Sequence, residues 1–301
     1  MILIAVTVIL ATAAGIFTER RIGPRADGVA QRLAWVILWV LLPPITFFNI
    51  AALELTTEVG AGLAFGYVSI VVAMAGAYLV GRHLLHLPSS GVGALMLVAA
   101  LGNTGYLGLP FSAALFGRDE LPNAVAYDIL VSTMALVTVG FSVGAAFGTV
   151  AEKPRERVVA FFLRNPALWA CVAGFIAPAA LAPDWAVDIS QGVVFAILPL
   201  GFLVVGITLA THGAGRFPPP LNGPVGWALG LKLLVTPAIV LALAATVHEV
   251  PESYPAQAAM ASAINAIIVA GEYGLDRGLV AAAIAWSTAI VVTAGLAIAL
   301  L

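Results

Sequence analysis

Residues 101–110 read Leu-Gly-Asn-Thr-Gly-Tyr-Leu-Gly-Leu-Pro and set an uncharged amide, Asn103, among helix breakers inside a long apolar run. Pro110 removes a backbone donor and disfavours helix at Leu109. Gly102, Gly105 and Gly108 weaken a helix and let another chain approach. Backbone that opens inside a bilayer is tolerated only where protein or a wet cavity satisfies it. The N–H groups so freed carry positive partial charge, which suits an anion. Asn103, Thr104, Gly105, Tyr106 and Pro110 are therefore candidate substrate-binding residues. The plainer alternative is a proline-kinked helix whose small residues serve close packing.

A second such place is Met260-Ala-Ser-Ala-Ile-Asn-Ala266, where Asn265 and Ser262 lie among small residues that permit helices to cross closely. An asparagine facing lipid is costly, so Asn265 must find a partner in protein or substrate. Asp128, followed by Ser132 and Thr133, is a carboxylate within an apolar run. Three roles fit it: taking up a proton, binding a cation, or bracing an opened helix. Thr46 and Asn49 follow Pro43-Pro44 and are expected to face a cavity. Lys232 is expected to snorkel to a membrane surface. His83, His86, His212 and His248 all fall near loops. The sequence has no metal-ligand spacing, nucleophile elbow or phosphate loop, so neither an enzyme nor a cofactor is implied.

The elements that must position these residues follow from composition. Charged residues make up 9% of the chain and hydrophobic ones 62%, against roughly 25% charged in a soluble domain. So few charges cannot cover a soluble surface, and the surplus apolar area must face lipid. No basic patch suits nucleic acid. A span needs about 20 apolar residues. Ten candidates emerge, at 2–17, 29–50, 59–80, 90–115, 122–147, 166–181, 187–210, 225–247, 256–270 and 279–301. The first is expected to be retained rather than cleaved as a signal, because its positive charges, Arg20 and Arg21, follow the apolar run.

Loop charge tests that division. Ten spans with both termini outside put every basic residue except Arg118 in or beside an inside loop. Glu54, Glu58, Asp119, Glu120, Asp184, Asp188, Glu249 and Glu252 then fall in or beside outside loops. The most charged loop, 148–165, divides the spans five and five, and its Val158, Val159, Phe161 and Phe162 are expected to lie along the inner surface. Odd halves imply inversion of the second in the membrane. Echoes support it: Leu42-Pro43 against Leu198-Pro199, and an asparagine after each of Pro88 and Pro251, at Asn103 and Asn265. The division gives a first repeat at 1–150 and a second at 151–301.

Asn-x-Gly-x-x-Gly-x-Pro at Asn103–Pro110, followed by Ala-Leu-Phe-Gly at 114–117, resembles the auxin efflux carrier family of membrane transporters. The likeness continues through Asp128, Arg164-Asn165-Pro166, Leu198-Pro199-Leu200, Lys232-Leu233 and Asn265 with Gly271-Glu272-Tyr273-Gly274. It implies an all-α fold shared with bile-acid sodium symporters and sodium/proton antiporters. The fourth and ninth spans would be broken and cross near the midplane. Spans 1, 2, 6 and 7 would form a scaffold, and spans 3, 4, 5, 8, 9 and 10 a moving core. Family substrates are organic anions: auxin in plants, and carboxylates such as malate or malonate in bacteria. Two departures matter. The family often has proline just before the small residues of the ninth span, where this chain has Ala261. Plant auxin exporters commonly carry a long central loop and charged residues within the third span; this chain has neither, so it resembles a bacterial branch of the family. The expectation is thus a secondary transporter of a small organic anion in the cell membrane. Coupling to protons or sodium, uniport, and pairing as a homodimer all stay open, and the alternative of another class is a channel or receptor without coupled transport.

Overall fold

A computed structural model describes residues 2–149, 159, 163, 165–212 and 218–298, with the side chains of residues 179 and 212 left aside. The expected surface segment at 158–162 lies mostly outside these residues, as do Lys153, Arg155, Arg157, Arg164 and Arg216. Among the described residues the fold is all-helical apart from one isolated bridge. Among the described residues seven helices are long and apolar enough to cross a membrane: α1 (Ile2–Ile22), α2 (Arg25–Ala51), α3 (Thr57–Leu84), α6 (Arg118–Phe147), α8 (Asp184–His212), α9 (Gly223–Thr246) and α12 (Arg277–Ile298). The other expected spans are shorter pieces. The fourth divides into α4 (Ser89–Ala100) and α5, a π-helical turn at Thr104–Gly108 that runs on into Leu109–Phe116. The sixth contains α7 (Pro166–Ile176), and the ninth divides into α10 (Ser253–Ala258) and α11 (Asn265–Tyr273).

Helix ends follow local chemistry. Thr56, Asn165 and Asn222 accept from the backbone N–H three residues on and so cap α3, α7 and α9. Gly274, at φ +69°, closes α11 in the left-handed conformation that glycine takes at low cost. Three π-helical segments, Ile37–Leu41, Thr104–Gly108 and Leu231–Val235, end two residues before Pro43, Pro110 and Pro237. A proline ring clashes with the carbonyl one turn earlier, and a wider turn makes room for it. This corrects the expectation at Leu109: it stays helical (φ −62°, ψ −53°) because the π turn absorbs the proline.

Two packing groups result. In one, α1 crosses α8 at small residues, while α7 and α8 pack on α2. A methyl group on Gly206 would lie 2.1 Å from the Thr12 carbonyl oxygen, and one on Gly15 2.3 Å from that of Leu203. The backbones of α1 and α8 thus touch, which only glycine allows. In the other group α3, α4, α6, α9, α10, α11 and α12 surround one large buried cluster that includes Leu95, Val98, Tyr254 and Tyr273 and also takes in Ile4 and Val8 of α1 and Leu198 and Phe202 of α8. Cys171 is a buried packing residue.

Gly206→Leu is expected to lower the stability of the detergent-solubilised protein by about 1–3 kcal/mol, the usual cost of overpacking. Gly192→Ala, on the same helix but with nothing within 4 Å, is expected to be neutral or to stabilise by roughly 0.5–1 kcal/mol. Thermal unfolding followed by tryptophan fluorescence compares the two.

Candidate functional site

The two interrupted segments meet at their breaks. Leu101–Asn103 and Ala261–Ala263 run antiparallel, with Gly102 bridging Ser262. Asn103 N donates to Ala261 O at 2.7 Å, and Ala263 N to Leu101 O at 2.9 Å. Ser262 adds two further bonds: its backbone N–H donates to Ser287 Oγ (3.0 Å), and its hydroxyl donates to Val98 O (2.7 Å). The ninth segment therefore opens without a proline. Alanine has high intrinsic helix propensity, so pairing with the other break outweighs local preference at Ala259 and Ala261. In the fourth segment the extended stretch, with Leu101 at φ −90° and ψ 131°, lies well before Pro110.

A cavity of about 570 Å³ reaches this pairing. At its floor lie Gly102, Asn103, Thr104, Gly105, Tyr106 and Asn265, with Asp128, Ser132 and Thr133 beside them. Its wall is apolar and includes Leu38, Leu42, Ile129 and Ile268. Trp35 and Trp39 stack on that wall, centroids 6.4 Å apart and planes 15° apart. Gln31 and Glu272 also line it. Two lining residues are carboxylates, and among the described residues the lining holds no basic side chain.

Asn103 is 5% exposed, and its Nδ2 is buried with no hydrogen-bond partner. Such a donor is costly to leave unmet. Asn265 stands at the start of α11 and is exposed to the cavity. The first N–H groups of α5 and α11 have no acceptor within their own helices, so two positive helix ends converge here. Asp128 opens a π-helical segment, Asp128–Thr133, and accepts a hydrogen bond from the Thr104 hydroxyl. A methyl group on Gly105 would lie 3.2 Å from Asp128 Oδ2. The carboxylate thus braces the first turn of α5. Tyr106 faces the other packing group, since a methyl on Gly201 of α8 would meet its Cγ at 3.0 Å.

The remaining sequence candidates lie elsewhere. Pro110 is buried in α5 and does not line the cavity. Ser262 holds the bridge from behind. Thr46 and Asn49 are buried away from the cavity, contrary to expectation. Asn49 Nδ2 donates to Ile45 O (2.9 Å) and Ser190 Oγ (3.3 Å), tying α2 to α8. A polar residue after two prolines can equally serve a helix contact, and sequence could not choose. Lys232 also departs from expectation. It does not snorkel: it is 3% exposed, and Nζ donates to Ala258 O at 2.9 Å.

No family model matches the chain. Two relatives do. One, named an uncharacterized transporter, is from Methanocaldococcus jannaschii; it is 25% identical over 269 residues, covering 85% of this chain and 84% of its own. The other, also named an uncharacterized transporter, is from Methanothermobacter thermautotrophicus; it is 27% identical over 273 residues, covering 89% and 87%. The chain is a multi-pass membrane protein that resembles transporters along most of its length.

Thr104→Val removes the donor to a buried carboxylate while keeping side-chain volume. The expected loss is about 1–3 kcal/mol in thermal stability, and Thr104→Ser is expected to recover most of it. Equal melting temperatures for wild type and Thr104→Val would dismiss the bracing role of Asp128.

Proposed function

We propose that this protein is a secondary transporter of a small organic anion, of the auxin efflux carrier type. The observation that carries the reading is the unpartnered Asn103 amide, set between two converging helix N-termini at the floor of an open cavity. Those ends and the amide give a carboxylate hydrogen-bond donors and positive potential without a fixed cation in the lining. Asn103, Thr104, Gly105 and Tyr106 with Asn265 form the binding floor.

The wall narrows the substrate. Stacked Trp35 and Trp39 offer flat apolar surface, and Asp128 and Glu272 disfavour a second negative charge. A monocarboxylate with an apolar or aromatic body fits better than a dicarboxylate. Ten crossings in two inverted halves, 1–150 and 151–301, account for the paired breaks and for the loop charges. In that orientation the termini are outside, and the cavity opens inward, toward the end where Gln31 and Glu272 line it. The group built on α1, α2, α7 and α8 acts as scaffold. The other group carries the site across in elevator-type alternating access, with the glycine crossing of α1 and α8 keeping the scaffold rigid.

Purified protein in proteoliposomes tests this with phenylacetate, indole-3-acetate and malonate as probes. Saturable uptake and counterflow of the aryl monocarboxylates are expected, with malonate the poorest. Asn103→Ala is expected to reduce transport by about tenfold or more, the effect of losing roughly 1.4 kcal/mol of binding to the transported state. Unchanged transport in Asn103→Ala would refute the site, and the absence of saturation or counterflow for every probe would refute the carrier.

A further inference from the structure

The crossing brings together two kinds of helix end. The N-termini of α5 and α11 lie at the cavity, while the C-termini of α4 and α10 lie behind the bridge. C-terminal carbonyls carry negative partial charge and invite a cation. In this chain their partners are already present. Val98 O accepts from Ser262, and Leu101 O accepts from Ala263 N. Ala258 O, at the end of α10, accepts from Lys232 Nζ at 2.9 Å, and the Thr236 hydroxyl lies within reach of both Lys232 O (2.5 Å) and Ala258 O (2.8 Å). The wide turn before Pro237 holds Lys232 in this place. A methyl group on Gly102 would stand only 3.1 Å from Nζ, so the ammonium lies directly under the bridge.

Next to Nζ is a small cavity of about 10 Å³, lined among others by Ser69, Thr104, Thr236 and Ala258. That is barely the room of one water. Its walls bring hydroxyl and carbonyl oxygens, the donors that hard monovalent and divalent cations take. A long lysine side chain fills the rest of the space.

Building on the carrier reading above, we infer that Lys232 is a resident cation. Its ammonium occupies the place behind the crossing where a small cation would otherwise be needed to neutralise the carbonyl ends. The protein therefore needs no metal cation to hold the crossing or to bind its anion. Trimming Lys232 leaves an oxygen-lined hole of the right chemistry for a small monovalent cation.

The test begins without substrate. Thermal unfolding of the detergent-solubilised protein is measured in sodium, lithium, potassium and choline chloride at equal ionic strength. Wild type is expected to melt at one temperature in all four. Lys232→Ala and Lys232→Met, which remove the charge with and without the stem, are expected to melt lower in choline. Lys232→Ala is expected to recover part of the loss in sodium or lithium; Lys232→Met, whose stem fills the hole, is expected to recover less. Sodium-specific stabilisation of wild type would overturn the inference, as would a folded Lys232→Ala protein indifferent to all four salts. If neither variant folds, wild-type phenylacetate uptake decides: equal rates in sodium and choline support a resident cation, and a requirement for sodium overturns it. Failure of every anion probe would remove the carrier reading, while the salt response still settles the role of Lys232.

Discussion

Two stretches of backbone that leave the helical ladder inside an apolar body must satisfy each other. Water is scarce there, and each unmet N–H or C=O costs several kcal/mol. The antiparallel pairing of Leu101–Asn103 with Ala261–Ala263 meets that demand, and much else is arranged around it. Ser262 and Ser287 secure one side. Asp128 holds the first turn of α5 through Thr104. Gly102 and Gly105 stay bare so that Lys232 and Asp128 can come close.

The pairing also sorts charge. Four helix ends meet at one level, with the donors on the cavity side and the acceptors on the other. The acceptors are consumed within the protein, by serine, threonine, lysine and the bridge itself. The donors at the cavity are left with Asn103 unmatched. The sign of such a place is set by backbone geometry as well as by side chains: the cavity side gathers N–H ends even though its side chains include two carboxylates.

How much of this was legible in the sequence depends on the kind of signal. Seven of the expected apolar segments coincide with long helices among the described residues, because hydrophobic length is a strong local cue, while those at 90–115, 166–181 and 256–270 hold shorter helical pieces. The break near Asn103 was legible from its glycines, but the part played by Pro110 was not: the opened residues are Leu101–Asn103, and Pro110 sits comfortably in helix. The break at Ala259–Ile264 has no local cause. The asparagine spacing, the run of small residues and the family resemblance hinted at it, while the partner that makes it possible lies about 160 residues away in the chain. Asn103, Thr104, Gly105, Tyr106, Asn265 and Asp128 do converge on one cavity. Thr46 and Asn49 do not, and Lys232 was misjudged, because the direction a side chain faces depends on helical phase. Trp35 and Trp39 were missed; two tryptophans one turn apart on a span were the available sign.

Helical phase is where the wide turns before Pro43, Pro110 and Pro237 have their largest effect. Each acts as a one-residue insertion in an α-helix, advancing everything beyond it by about 100° around the axis. A helical wheel drawn through such a span is therefore correct on one side of the turn and wrong on the other. Deleting one residue within Leu231–Val235 would leave length and hydropathy almost untouched, yet it would rotate one half of α9 against the other. The proline thus does more than bend a span. It lets the two halves of one helix present different faces, one to the lipid and one to the crossing.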